Sequence, residues 1–160
     1  MQKRPWNRVN LPVYSISSHD GHGHHNMHII TYASQISMQP KRFVCGIYRG
    51  TKTLDNISSH PNFVLQLLSS HQYRLTDLLG KKSGKDIDKI ASLAKRNLLS
   101  TWKEYSVLKE CLAVMELIVI SRFDGGDHIG FVCEVADHKN LNEGIPLTLD
   151  ILREHKLIRI

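Results

Sequence analysis

The sequence predicts a mainly β chain, folded as a closed or split barrel with inserted helices. Three observations carry that expectation. Short runs of apolar and β-branched residues recur between clusters of Gly, Pro, Asn, Asp and Ser. Two of the longest runs are joined by Arg122-Phe123-Asp124-Gly125-Gly126, and Asp-Gly between such runs is a hairpin signal. The strands follow one another through local turns, and the chain has no G-x-G-x-x-G, which excludes a doubly wound nucleotide fold.

Residues 13–17 read as the first strand and lead into a polar turn, His19-Asp20-Gly21-His22-Gly23-His24-His25. Residues 27–34 form the second strand and 42–48 the third, which is nearly all apolar. A short helix over 53–60 stops at Pro61, because the residue before a proline is pushed out of the helical region. Residues 62–68 are the fourth strand. From 72 to 99 the period changes: 73–80 and 86–99 carry apolar residues at helical spacing, separated by Lys81-Lys82-Ser83-Gly84-Lys85. The segment holding Glu104 and Glu110 reads as a linker. Residues 112–121 and 128–136 are the two strands of the Asp-Gly hairpin. There is no internal repeat, and the only biased stretch is the histidine turn.

Bulk properties set limits. A chain of 160 residues is one domain, here taken as 1–160, and is long enough for a real core. Its 41% hydrophobic and 22% charged residues are ordinary for a globular protein. No apolar run approaches the roughly 20 residues of a membrane helix. The basic N-terminus lacks the apolar stretch of a signal peptide, so a cytoplasmic location is expected. Cys45, Cys111 and Cys133 are odd in number and lie in apolar runs, so they read as buried reduced thiols. The net charge of +6 is scattered and aromatics are only 7%, which favours an anionic nucleotide ligand over nucleic acid.

The segment 31–56 concentrates the chemistry. A strand rich in small residues is followed by a proline turn, an apolar strand and a basic, Thr-rich helix start. The first turn of a helix offers unpaired N–H groups and the positive end of a dipole, which suits phosphate. Arg49, Gly50, Thr51, Lys52 and Thr53 surround that start, Thr51 or Thr53 can cap it, and Asp55 suits the dipole. A capped surface helix with basic flanks explains the same residues without a ligand.

The histidines offer a rival reading. His19, His22, His24, His25 and His28 fall within ten residues, and imidazole is a common metal ligand. Asp20 is the only nearby carboxylate and Gly21 and Gly23 loosen the stretch, so a solvated hairpin turn is preferred to a metal centre. His25 and His28 remain candidates to face a ligand, and Tyr32 and Tyr48 to pack on a flat ring, although strand aromatics usually serve the core. No G-x-S-x-G, H-E-x-x-H or Walker loop appears, and no carboxylates form a recognisable pair. Chemistry carried by a cofactor suits such a chain.

The order Ser34, Ser37, Pro40, an apolar strand, then Arg49, Thr51, Thr53 and Asn56 resembles the FMN-binding split-barrel flavin reductases, which are NAD(P)H:flavin oxidoreductases. A second block, 111–135, resembles that family's later hairpin, whose return strand opens with Gly126-Asp127-His128. The resemblance implies a split barrel. It implies FMN with its phosphate at Arg49–Thr53 and its ribityl and ring edge along Ala33, Ser34, Gln35, Ile36 and Ser37. NADH or NADPH would donate hydride to the flavin, with His128 near both rings as the catalytic residue. A homodimer with the flavin near its interface is implied, as is a monooxygenase or electron-transfer partner. Gln35 stands where the family tends to show small or apolar residues, and the basic insertion 72–99 is placed to reshape the nicotinamide side. An FMN-containing electron carrier fits the same residues, and a metal- or haem-binding barrel would draw on the histidine turn.

Overall fold

Short runs of apolar and β-branched residues build a seven-stranded antiparallel sheet in the computed structural model, which describes residues 3–158. Its strands are β1 (Tyr14–His19), β2 (His25–Ile30), β3 (Ala33–Ser37), β4 (Arg42–Tyr48), β5 (Asn62–Leu67), β8 (Ala113–Asp124) and β9 (His128–Asn140). They lie in the order β2-β1-β5-β8-β9-β4-β3. A separate hairpin pairs β6 (Leu99–Trp102) with β7 (Tyr105–Leu108). Among the described residues there are also three short α-helices: α1 (Lys52–Ser59), α2 (Lys89–Lys95) and α3 (Leu149–Glu154).

The mainly β class holds, but strand pairing does not close a barrel: β2 and β3 are the two edges of an open sheet. They are also consecutive in the chain. The single strand expected over 27–34 is broken at Thr31 and Tyr32, where the chain passes from one edge to the other. Pairing with β1 ends at Ile30, and Tyr32 already accepts the Gly46 N–H at 2.7 Å beside β4. Three residue steps span at most about 11 Å, so the sheet must curve to bring its edges this close.

The curve explains the two cores. Ile16, Cys45, Ile47, Phe63, Leu65, Leu117 and Phe131 fill one face, with Ile57 of α1 packed among them. Val13, Met27, Val64, Leu68 and Val114 point the other way, where Leu79, Leu93, Val107 and Leu152 cover them. The run Phe63-Val64-Leu65 feeds both cores, as a strand buried on two faces should.

The expected helical insertion is only partly helical. Ser70–Leu75 is 3-10, Asp77–Lys81 is a π turn, and α2 alone is a regular helix. The expected linker is the β6–β7 hairpin, turning through Lys103 at φ 54°. The histidine stretch is the β1–β2 hairpin turn, organised by Asp20, whose Oδ1 accepts the N–H groups of His22 and His24. Cys45, Cys111 and Cys133 are buried and free, as expected, and burial pushes the last two thiols up to about 12.

Candidate functional site

Gly50, at φ +80°, turns the chain from β4 into α1. Thr51 caps the helix: its Oγ1 accepts the Leu54 N–H at 3.2 Å and donates to the Tyr48 carbonyl at 2.9 Å. The N–H groups of Lys52 and Thr53 take no acceptor among the described residues, as the first turn of a helix requires. Thr53 points inward instead. Its buried hydroxyl meets His28 Nδ1 at 2.7 Å and accepts from Asn26 Nδ2 at 3.0 Å. The helix start is thereby pinned to β2.

This turn forms one wall of a cavity of about 280 Å³. The opposite wall is the 79–84 segment with Lys89 at the start of α2. Five cations line the cavity (Arg49, Lys52, Lys81, Lys82 and Lys89) and no carboxylate does. Lys89 is only 3% exposed, and its Nζ donates to the Leu79 carbonyl at 3.1 Å. Burial pushes its pKa down to about 8. Burial also pushes His28 down to about 3, with the charges of Lys89 and His128 adding to the effect, so His28 is a neutral imidazole.

A second cavity of about 270 Å³ shares His28, Tyr48, Thr51 and Gly80 with the first and continues toward Tyr32, Gly46 and His128. Tyr32, Tyr48 and the rings of His28 and His128 line it together with Ile29, Ile30 and Thr31. The His128 ring lies 4.9 Å from that of Tyr32 and 5.2 Å from that of Tyr48. Gly46 leaves space where a Cβ would approach Tyr32 Cβ to 3.2 Å. His128 opens β9 opposite Tyr48, and its Nδ1 meets Asp127 Oδ1 at 2.6 Å.

Arg49 links the two halves through the hairpin. Its N–H donates to the Asp127 carbonyl at 3.0 Å, Nε to the Gly126 carbonyl at 2.8 Å, and a terminal nitrogen to Asp124 Oδ1 at 2.9 Å. Its guanidinium is thus committed within the chain, while Lys52 and Lys82 have no carboxylate partner among the described residues.

A positively charged, carboxylate-free cavity running into an aromatic-walled one can take a phosphate attached to a flat ring system. The family model for the flavin reductase like domain matches residues 6–151. The chain belongs to that family. Solved structures of similar fold include the flavin reductase PheA2, at 22% identity over 92% of this chain and 93% of that one, with a TM-score of 0.73. BorF, the flavin reductase component of a bacterial two-component tryptophan halogenase, is 13% identical over 89% and 88%, with a TM-score of 0.76. Flavoredoxin from Methanosarcina acetivorans is 20% identical over 91% and 81%, with a TM-score of 0.73. No curated protein matches the chain significantly.

Of the residues expected from this family's pattern, Arg49, Gly50, Thr51, Lys52, Thr53 and His128 converge on the joined cavities. Ala33–Ser37 does not line them. β3 is an edge strand leading away from Tyr32, with Ser34, Gln35 and Ile36 exposed and Gln35 Oε1 held by Lys41. Asn26 and Lys89 were not anticipated as site residues. The available signal for Lys89 was its place four residues before Leu93, on the apolar face of α2.

Proposed function

We propose that this chain binds a flavin nucleotide and uses NADH or NADPH to reduce it. The observation that carries the reading is the continuity of the basic cavity at α1 with the aromatic cavity at His128. When bound, a flavin accepts hydride from a nicotinamide and passes electrons onward. Lys52 and the free N–H groups of α1 hold the phosphate. Arg49 fixes the β4–α1 turn against the β8–β9 hairpin. Tyr32 and Tyr48 flank the ring. His128, held by Asp127, is the catalytic residue and orients the nicotinamide; neutral His28 keeps a further charge out of the ring site.

A homodimer belongs to this reading. Ile36, Met38, Ile118 and Ile120 are exposed apolar side chains on or beside β3 and β8, and a second copy seated there would cover them and close the flavin site. A partner that consumes reduced flavin, such as a monooxygenase, is the natural companion, and BorF is the flavin reductase component of a two-component halogenase. Likeness to a flavoredoxin favours one second reading, an electron carrier with no nicotinamide reaction. Steady-state oxidation of NADH or NADPH that requires added flavin, and that slows in His128→Ala, tests the proposal. Absence of oxidation with any flavin would contradict it.

A further inference from the structure

We propose that His28 is a positioning residue of this site, its Nε2–H fixed by Thr53 and Asn26 and directed at an acceptor of the bound ring, so that the chain holds reduced flavin more tightly than oxidised flavin. The inference rests on the flavin reading above.

The tautomer of the imidazole follows from its neighbours. Asn26 Nδ2 donates to Thr53 Oγ1 at 3.0 Å, and that hydroxyl meets His28 Nδ1 at 2.7 Å. An amide nitrogen only donates, so Thr53 accepts from Asn26 and has one proton of its own to give. Thr53 Oγ1 makes no other hydrogen bond among the described residues, so its proton goes to His28 Nδ1 and the ring's own proton sits on Nε2. Asn26 and Thr53 are buried, at 4% and 0% exposure, so the relay is fixed by the fold. Nε2 has no protein partner among the described residues and is not sealed inside: His28 is half-buried and lines both cavities. Burial opposes a positive charge on this ring, and so do Lys89 and His128 beside it. The donor is therefore neutral and keeps its proton near neutral pH.

Place gives the donor its use. The cations line the first cavity, and no lysine or arginine lines the second. Hydride brings two electrons with one proton, so a ring that accepts it gains a negative charge until a further proton arrives. In the second cavity that charge is met by hydrogen-bond donors. Tyr32 and Tyr48 are more than half exposed, and His128 Nδ1 is held by the Asp127 carboxylate. His28, where the two cavities meet, is the enclosed donor whose direction is set in advance. A hydrogen bond to a charged acceptor is about twice as strong as one to a neutral acceptor. A donor already oriented needs no rearrangement when the charge develops.

FMN is the probe, and the measurements are its affinity in both oxidation states and the potential of the bound flavin. His28→Leu should leave oxidised FMN within about threefold and weaken reduced FMN by roughly tenfold. For a two-electron couple that lowers the bound potential by about 30 mV. His28→Gln, which keeps a donor, should restore most of it. In the ligand-free wild type, ring nitrogen shifts should show the Nε2–H tautomer with no titration between about pH 5 and 8; this measurement needs no variant to fold. An Nδ1–H tautomer, or protonation within that range, would overturn the inference whatever the flavin does. Equal weakening of both oxidation states in His28→Leu, with the potential unchanged, would also overturn it and leave the flavin reading standing. A wild-type protein that binds FMN in neither state would defeat the flavin reading, and the inference with it.

Discussion

At the scale of single residues, the cations around α1 divide into two kinds. Arg49 spends its guanidinium on Gly126 and Asp124, so its work is to hold the turn in place. Lys52 has no such partner and stands at the helix start with the free N–H groups. Lys52→Ala should therefore weaken FMN by about tenfold or more, since charge-assisted hydrogen bonds to phosphate are worth roughly 1.5–3 kcal/mol. Riboflavin, which lacks the phosphate, should be unaffected. Arg49→Ala should weaken both flavins to a similar degree, because it loosens the turn rather than removing a phosphate contact. Equilibrium titration of both flavins against both variants separates the roles. Equal loss of FMN and riboflavin in Lys52→Ala would place the phosphate elsewhere.

At the scale of elements, the β1–β2 hairpin carries a pH dependence. His19 is buried, its ring stacks 4.3 Å from His60 and lies 4.9 Å from Tyr105 and 5.1 Å from His25. Burial pushes its pKa down, and His60 and His25 push the same way against Glu104 and Asp20. The folded pKa lies below the unfolded value of about 6.5, so the unfolded chain takes up a proton that the native hairpin refuses. Stability is full above about 6.5 and falls as pH drops below it. His28 adds to the same window, from about 6.5 toward about 3. The melting temperature should fall on acidification through that range, and His19→Asn should flatten the fall; an unchanged slope in that variant would remove His19 from the cause. Legibility in the sequence also differs by element. β4, β5, α1 and the β8–β9 hairpin announce themselves through apolar runs, a Thr cap and Asp-Gly. The break between β2 and β3 does not, because Ile29 to Ala33 runs without Gly or Pro and only long-range pairing with Gly46 decides it. The β6–β7 hairpin is hidden because Lys103-Glu104 turns the chain where no turn residue stands. Arg49–Thr53 are readable from residue type and order as a candidate phosphate site, and His128 only through the resemblance of Gly126-Asp127-His128 to the family's hairpin. Lys89 is not, since a lysine on a helix reads as solvated until the 79–84 wall is seen packed over it.

At the scale of the whole molecule, an open curved sheet leaves apolar side chains uncovered. Ile118 and Ile120 of β8, Ile36 of β3 and Met38, which is 87% exposed, lie outside both cores. A second copy of the chain would cover them, so light scattering should report a dimer, and Ile120→Asp should shift it toward monomer and release flavin. A wild-type monomer that holds flavin tightly would show that one chain completes the site. Whether the basic and aromatic cavities together form a flavin site served by a nicotinamide is decided by the visible spectrum of the protein mixed with flavin under anaerobic conditions. Bands of bound oxidised flavin should bleach when NADH or NADPH is added, and should bleach more slowly in His128→Ala. Flavin bands that persist in the presence of both nicotinamides would contradict such a site.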